Sequence, residues 1–152
     1  MIAVLQRINS ATVYADGELS GTVGHGLYIL LGVEKDDTEQ DAELLSEKIS
    51  KLRIFNDENG KMNLSVMDVD GEIMVVSNFT LNANYSHGNR PDYFSSASPD
   101  DANRLYEYFV SLISKKVKKT ATGRFGADMT SELSTDGPVT IVMNSRVLRG
   151  GK

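Results

Sequence analysis

Residues 72–81 read Glu72-Ile-Met-Val-Val-Ser-Asn-Phe-Thr-Leu81, and they follow a turn at Asp70-Gly71. The apolar, β-branched run from Ile73 to Val76 is bounded by turn residues and predicts a strand buried on both faces. Polar side chains follow where this strand leaves the core, with one aromatic ring among them: Ser77, Asn78, Phe79 and Thr80. Buried polar groups need partners, so two explanations are open. These side chains either hydrogen-bond to neighbouring backbone or face a ligand.

The composition indicates one folded domain. The chain has 152 residues, of which 40% are hydrophobic, and this is enough for a buried core. It contains no apolar run of about 18 residues and no signal-peptide pattern, so neither a membrane span nor export is expected. The absence of cysteine excludes disulfides and fits a cytoplasmic protein. A net charge of −5 argues against a protein that coats DNA or RNA by bulk electrostatics, but permits an enzyme that grips only an RNA end.

Turn and cap signals predict an α+β domain with a mostly antiparallel, barrel-like sheet and two main inserted helices. The first helix is expected to begin at a capping box of Thr38 and Asp41 and to end near Leu52. The second is expected to begin at Ser98-Pro99. Strands are predicted at residues 2–7, 11–15, 18–22, 27–33, 53–55, 62–64, 73–76, 120–124, 129–134 and 139–143. The domain is expected to span residues 1–145, and a frayed tail is expected over 146–152.

Few residues favour metal or nucleophilic catalysis. The two histidines lie far apart in the sequence and cysteine is absent, so no metal site is predicted. A Ser-His-Asp hydrolase could be assembled from Ser77 and His87, but Ser77 lacks the Gly-x-Ser-x-Gly turn of such enzymes. The long irregular segment at residues 82–97 could fold over a ligand. Its candidate contacts are His87, Arg90, Tyr93 and Phe94.

Gly137-Pro138 is the second feature whose role the residues alone do not decide. Such a pair is an ordinary turn signal. X-Pro bonds are also the usual place for cis peptides, and a cis bond would hold two backbone carbonyls in an unusual orientation. Two carbonyls held rigidly in this way could distinguish ligands by their shape without the use of any side chain.

These features together resemble the D-aminoacyl-tRNA deacylase family, also called D-tyrosyl-tRNA deacylases, over residues 1 to about 145. The stretch Ser77 to Thr80 matches a family motif that has glutamine at the position of Asn78. Residues 135–140, Thr-Asp-Gly-Pro-Val-Thr, match a motif that has asparagine at the position of Thr135. Further matching stretches occur in the family's order: Gln6-Arg7, Leu52–Phe55, Gly60–Asn63, Gly88–Pro91 and Phe125–Met129.

The resemblance implies a hydrolase that cleaves the ester between a D-amino acid, or glycine, and the tRNA 3′ end, as a chiral proofreading step in translation. It implies a homodimer with the active site at the subunit interface, no cofactor and no metal. A cis Gly137-Pro138 pair would enter the partner's pocket and exclude L side chains by a backbone clash. Arg7 would hold this pair, and Thr140 belongs to the same motif.

The resemblance also implies a role for each remaining motif residue. Ser77 and Thr80 would shape the pocket and the oxyanion site rather than act as nucleophiles. Water would be activated by the ribose 2′-OH of the substrate. The substrate would be bound by Asn78, Phe79, Phe125, Ala127 and Met129, with Phe79 against the terminal adenosine.

Two other functions stay open on the residues alone. One is a small esterase that depends on Ser77 and acts on simple esters. The other is a homodimeric module that binds an RNA end or a small ligand and has lost turnover through Asn78 and Thr135. Asn78 is one methylene shorter than glutamine, so a direct amide contact to substrate would shift by about 1.5 Å or pass through water.

Overall fold

The computed structural model describes residues 1–150 as an α+β domain with one main sheet. Its strands are β1 (Ile2–Ala15), β2 (Glu18–Val23), β3 (Gly26–Gly32), β4 (Phe55–Asn56), β5 (Met62–Leu64), β6 (Glu72–Ser77), β7 (Thr120–Thr122) and β8 (Met129–Asn144). Its helices are α1 (Glu39–Lys51), α2 (Pro99–Ser114) and α3 (Ser145–Leu148), and a 3₁₀ turn spans Phe79–Asn82. No helix within residues 1–150 is long and apolar enough to cross a membrane.

The main sheet curls into a nearly closed barrel around β1. Its order is β2-β1-β3-β6-β7, and β8 pairs with the whole length of β1 on the other edge. The two ends of this order approach each other, because Ser20 Oγ donates to the Thr122 carbonyl at 2.7 Å. A Cβ at Gly21 would lie 2.9 Å from that of Ala121, so glycine permits this approach of β2 to β7. The predicted α+β class and barrel-like sheet are therefore confirmed.

The sheet is mixed rather than antiparallel throughout. β3 pairs with β6, and β6 pairs with β7, in parallel register. Parallel neighbours need crossover connections, and these connections carry α1 and α2 respectively. The residues of β6 are buried on both faces from Ile73 to Val76, as predicted for the apolar run. Parallel pairing brings the carboxyl ends of β3 and β6 to the same edge of the sheet.

Two pairs of predicted strands are continuous in the structure. Residues 2–7 and 11–15 both belong to β1, and residues 129–134 and 139–143 both belong to β8. The polar residues Asn9 and Ser10 suggest that a strand ends there. In the structure β1 continues through them, and its pairing with β8 shifts register on either side of Ile8. The strand predicted at 53–55 begins only at Phe55.

Both predicted helices are confirmed with their caps. Thr38 N–H donates to Asp41 Oδ2 at 2.8 Å, and Ser98 Oγ accepts from Asp101 N–H at 3.3 Å. Apolar side chains at helical spacing then pack α1 and α2 against each other and the sheet. The buried ones are Ala42, Leu45, Ile49, Leu105, Tyr106, Phe109 and Ile113.

The prediction of a frayed tail is wrong for residues 146–149, whereas Gly151 and Lys152 lie outside the described residues. α3 follows β8 directly, and Ser145 Oγ donates to Asp41 Oδ1 at 2.6 Å. Arg149 Nε donates to the same oxygen at 2.7 Å, and its Nη2 bonds to Asp41 Oδ2. The carboxylate of α1 thus anchors the segment after β8.

Arg149→Met is expected to lower the free energy of unfolding at pH 7 by about 2–3 kcal/mol, because it leaves the buried Asp41 carboxylate without its cation. Burial alone would raise the pKa of Asp41, but hydrogen bonds from Arg149, Ser145 and Thr38 outweigh it and hold the pKa well below its ordinary value. A depressed pKa contributes stability above the unfolded-state pKa of about 3.9, and this contribution is lost as pH falls through the folded-state pKa. Denaturant titrations at pH 7 and in strong acid test this, since the difference between the two proteins should shrink in acid.

Lys118→Met is the matched control for this charge change. Its ammonium lies 3.3 Å from Asp70 Oδ2 in an exposed pair, so its loss should leave the unfolding midpoint unchanged. Equal stability of the Arg149→Met protein and the unchanged chain at pH 7 would show that the segment after β8 is not anchored through Asp41.

Candidate functional site

A cavity of about 850 Å³ opens at the carboxyl ends of β3 and β6. Its walls come from these strand ends, the 3₁₀ turn, the start of α2 and the segment that leads into β8. Apolar side chains such as Leu31, Val33 and Ala102 line it together with a few polar groups. A largely apolar concavity with a few convergent polar groups is typical of a small-molecule or substrate site.

The predicted pocket residues all line this one cavity. They come from two segments of the chain that are far apart in sequence. The first segment contributes Ser77, Asn78, Phe79 and Thr80, and the second contributes Phe125, Ala127 and Met129. The fold brings the segments together because β6 ends opposite the turn that precedes β8.

Asn78 bonds within the chain and fixes the state of the Thr80 hydroxyl. Its Oδ1 accepts from Thr80 N–H at 3.2 Å and from Thr80 Oγ1 at 2.5 Å. The backbone N–H identifies the amide atom as the oxygen, so the hydroxyl must donate its proton to it. An amide oxygen is not a base at neutral pH, and this contact does not activate Thr80 as a nucleophile.

Ser77 has no imidazole base beside it. Within residues 1–150 neither histidine lines the cavity, and the ring of His25 instead contacts Phe55 edge-on with a centroid distance of 5.3 Å. The triad that could be assembled from sequence therefore does not come together around Ser77. No group of three or more potential metal ligands occurs within the same described residues.

Asn82 anchors the 3₁₀ turn and was not singled out by the sequence analysis. Its buried Nδ2 donates to the Val33 carbonyl at 2.8 Å and to Ser96 Oγ at 3.1 Å. Gly32 permits this packing, since a Cβ there would lie 3.0 Å from both Asn78 O and Asn82 Oδ1. An asparagine at the start of a loop resembles an ordinary turn residue, so its sequence carries no signal of this role.

Two tyrosines lie close to the cavity, and sequence reasoning assigned neither of them to the site. Tyr28 lines it, and its hydroxyl lies 2.7 Å from Ser131 Oγ. Burial raises the pKa of Tyr28, although the Ser131 hydrogen bond works against the increase. Tyr106 donates to the Val75 carbonyl at 3.0 Å, and burial raises the pKa of Tyr106 to about 12. Neither phenol can therefore serve as a general base near neutral pH.

Gly137-Pro138 is a cis peptide in the middle of β8, and it lies outside the cavity of its own chain. Gly137, Pro138 and Thr140 are exposed, whereas the intervening Val139 is buried. The fold thus separates the predicted chiral-selection residues from the predicted pocket residues within one chain.

Arg7 lies beside this segment in a buried position. Its Nε donates to the carbonyl of Asp136 at 3.3 Å and lies 3.0 Å from Asp136 Oδ2. Its Nη1 donates to the Ile54 carbonyl at 2.8 Å. One guanidinium therefore joins β1 to the residue before Gly137 and to the segment before β4.

Nearly the whole chain is similar to known proteins. A sequence model described as D-Tyr-tRNA(Tyr) deacylase matches residues 4–144. A protein of Thermosipho melanesiensis named D-aminoacyl-tRNA deacylase is 52% identical over 147 residues, which cover 96% of this chain and 98% of that protein. A solved structure named c-Myc DNA Unwinding Element Binding Protein has a TM-score of 0.89 at 38% identity and covers 95% of this chain and 98% of its own. A probable eukaryotic D-amino acid tRNA deacylase shares the fold, with a TM-score of 0.81 at 13% identity over 93% of this chain and 97% of its own.

Proposed function

Because the chain belongs to the D-Tyr-tRNA(Tyr) deacylase family and is therefore a hydrolase of the D-aminoacyl-tRNA ester bond, we propose that the cavity beside β6 holds the aminoacylated 3′ end of tRNA. The observation that carries this proposal is the convergence of seven predicted residues from two distant segments on one cavity. The reaction is chiral proofreading in the cytoplasm. Glycyl-tRNA is also a substrate, since glycine has no side chain to exclude.

The enzyme works as a homodimer in which Gly137-Pro138 of one subunit completes the cavity of the other. This arrangement accounts for an exposed pair that lies outside its own cavity. Pro138, Thr140 and Val142 alternate along β8 on one exposed face, where Val142 is 71% accessible. Pro138 and Val142 together give this face exposed apolar surface, which the second subunit covers.

Hydrolysis proceeds without a side-chain nucleophile. Thr80 N–H donates to Asn78 Oδ1, which leaves the backbone amide of Phe79 as the donor to the ester carbonyl oxygen. The ribose 2′-OH of the substrate activates the attacking water. An aminoacyl ester is already reactive, and positioning with oxyanion hydrogen bonds can supply much of the remaining barrier reduction. The carbonyls of Gly137 and Pro138 leave no room for an L side chain.

Purified protein should cleave D-tyrosyl-tRNA and leave L-tyrosyl-tRNA intact. Thr80→Ala should keep at least about a tenth of this activity, because removing a hydroxyl that only positions costs far less than removing a nucleophile. Ser77→Ala should behave in the same way. Release of labelled tyrosine from each ester measures the result.

The same assay separates the two alternatives. Cleavage of both enantiomers, abolished in Ser77→Ala, would identify the esterase. Binding of D-tyrosyl-tRNA without cleavage would identify the RNA-end binding module. Complete loss of activity in Thr80→Ala, with fold and oligomeric state intact, would overturn the mechanism.

A further inference from the structure

We propose that residues 83–97, here called the aromatic hairpin, form a stacking platform for the unpaired nucleotides that precede the terminal adenosine of the tRNA. The proposal rests on the proposed function, since the adenosine is placed against Phe79 at the mouth of the cavity. It adds a second binding subsite, built from Tyr85 and Phe94, outside the cavity itself.

The aromatic hairpin is ordered by its own polar groups. Asn84 and Asp92 exchange two backbone hydrogen bonds at 2.8 and 2.9 Å, and their side chains are joined by a third at 3.1 Å. Ser86 Oγ donates to Asn84 Oδ1 at 2.8 Å, and Phe94 N–H donates to Asp92 Oδ1 at 3.3 Å. A long loop with this many internal bonds is preorganised rather than freely moving.

The base of the aromatic hairpin is fastened to the cavity wall. Ser95 Oγ donates to the Asn82 carbonyl at 3.1 Å, and Ala97 N–H donates to the Val33 carbonyl at 3.1 Å. Ser96 and Ala97 themselves line the cavity. The hairpin therefore holds its side chains at a fixed position relative to a bound adenosine.

Two of its aromatic rings are exposed to solvent, although the side chains of Asn84 and Asp92 are bonded within the hairpin. Tyr85 is 80% exposed and Phe94 is 78% exposed. Phe79, at 59% exposed, meets Tyr93 edge-on with a centroid distance of 5.0 Å, so Tyr93, which directly precedes Phe94 in the chain, joins the hairpin to the cavity mouth. Exposed aromatic side chains beside a binding site indicate a partner that covers them.

The chemistry of the hairpin favours single-stranded nucleotides as that partner. Nucleobases stack on aromatic faces, and local cations follow the backbone. Within residues 1–150, Arg90 enters no ion pair, while Asp92 is engaged inside the hairpin. With a net charge of −5 the chain offers little general attraction for RNA, so stacking supplies the affinity at this subsite.

The test compares the KM values of the dimeric protein for D-tyrosyl-tRNA and for the minimal substrate D-tyrosyl-adenosine. Tyr85→Leu and Phe94→Leu replace the rings by apolar side chains, and each should raise KM for D-tyrosyl-tRNA by about 10-fold at unchanged kcat. KM for D-tyrosyl-adenosine, which lacks the preceding nucleotides, should not change. Arg90→Gln should lower the salt slope of log KM for the tRNA by about 1, whereas the two ring variants should leave this slope unchanged.

Leu19→Ala is the matched control, because this 63% exposed side chain lies on β2 away from the cavity, and KM for both substrates should stay the same. An equal rise of KM on tRNA and on D-tyrosyl-adenosine would overturn the proposal, since the hairpin would then only shape the cavity. Dissociation of the variants to monomers would also overturn it and assign the rings to a subunit contact. Failure of the unchanged protein to cleave D-tyrosyl-tRNA would instead refute the proposed function.

Discussion

Gly137→Ala is expected to lower kcat/KM for D-tyrosyl-tRNA by about 100-fold while the fold is retained. A Cβ at this position would lie 2.4 Å from Val139 N and 2.9 Å from Val139 Cγ2, so the backbone must shift. Its φ of +141° is also rarely adopted by a residue with a side chain. If the two carbonyls of Gly137 and Pro138 contact the substrate of a second subunit, a displacement of about 1 Å is enough for a loss of this size.

Gly60→Ala is the matched control for this substitution. Gly60 also has a positive φ, +75°, but no atom lies within 4 Å of an added Cβ. The control therefore carries backbone strain without the clash, and its activity should equal that of the unchanged protein. Full activity in Gly137→Ala, with the alanine protein folded and dimeric, would remove this residue from the substrate site.

The helices could be predicted because their signals are local. A capping box at Thr38 and a serine-proline pair at Ser98 act within a few residues, and the structure begins both helices there. The parallel pairing of β6 with β3 and β7 could not be predicted in the same way. A strand buried on both faces has the same composition whichever way its neighbours run, so its direction depends on the crossovers.

Turn-type residues led to strand ends being predicted where the strand in fact continues. Gly137-Pro138 resembles the end of a strand, yet β8 continues through it because β1 shifts register on the opposite side at Ile8. Likewise the segment from Arg146 resembles a frayed tail, but Arg149 and the preceding Ser145 both contact Asp41. Their partner, Asp41, is more than a hundred positions away on α1, and no local pattern reports such a contact.

The residues of the candidate site also fall into those that the sequence predicted and those that it did not. The pocket residues in the two motifs, from Ser77 to Thr80 and from Phe125 to Met129, were predicted because they resemble a known family. Asn82 and Tyr28 were not, because each is an ordinary residue in its own segment and gains a role only when β3 packs beside the 3₁₀ turn. The family motif also carries no information on the Asn78–Thr80 contact, which depends on the shorter amide of this chain.

Arg7→Met is expected to lower the free energy of unfolding by about 3 kcal/mol, and Arg7→Lys to lower kcat for D-tyrosyl-tRNA by about 10-fold with KM unchanged. The Arg7 side chain is only 7% exposed, so methionine leaves the Ile54 carbonyl and the Asp136 carboxylate without their donor. Lysine keeps the charge, but its single ammonium cannot donate to both Asp136 and Ile54 as Nε and Nη1 of Arg7 do. Denaturant titration measures the first effect, and steady-state kinetics on the dimer measures the second.

A double-mutant cycle decides whether Arg7 acts through Asp136 on the residues that follow it. Asp136→Asn keeps the side-chain size but removes the charge of the 3.0 Å pair, and alone it should also lower kcat by about 10-fold. If both residues position Gly137 through this one contact, the Arg7→Lys/Asp136→Asn protein should lose about 10-fold in total rather than about 100-fold. Multiplicative losses would mean that the two side chains act independently. Rates that return to normal once corrected for the folded fraction would show that Arg7 supports the fold alone and has no part in orienting the residues that follow Asp136.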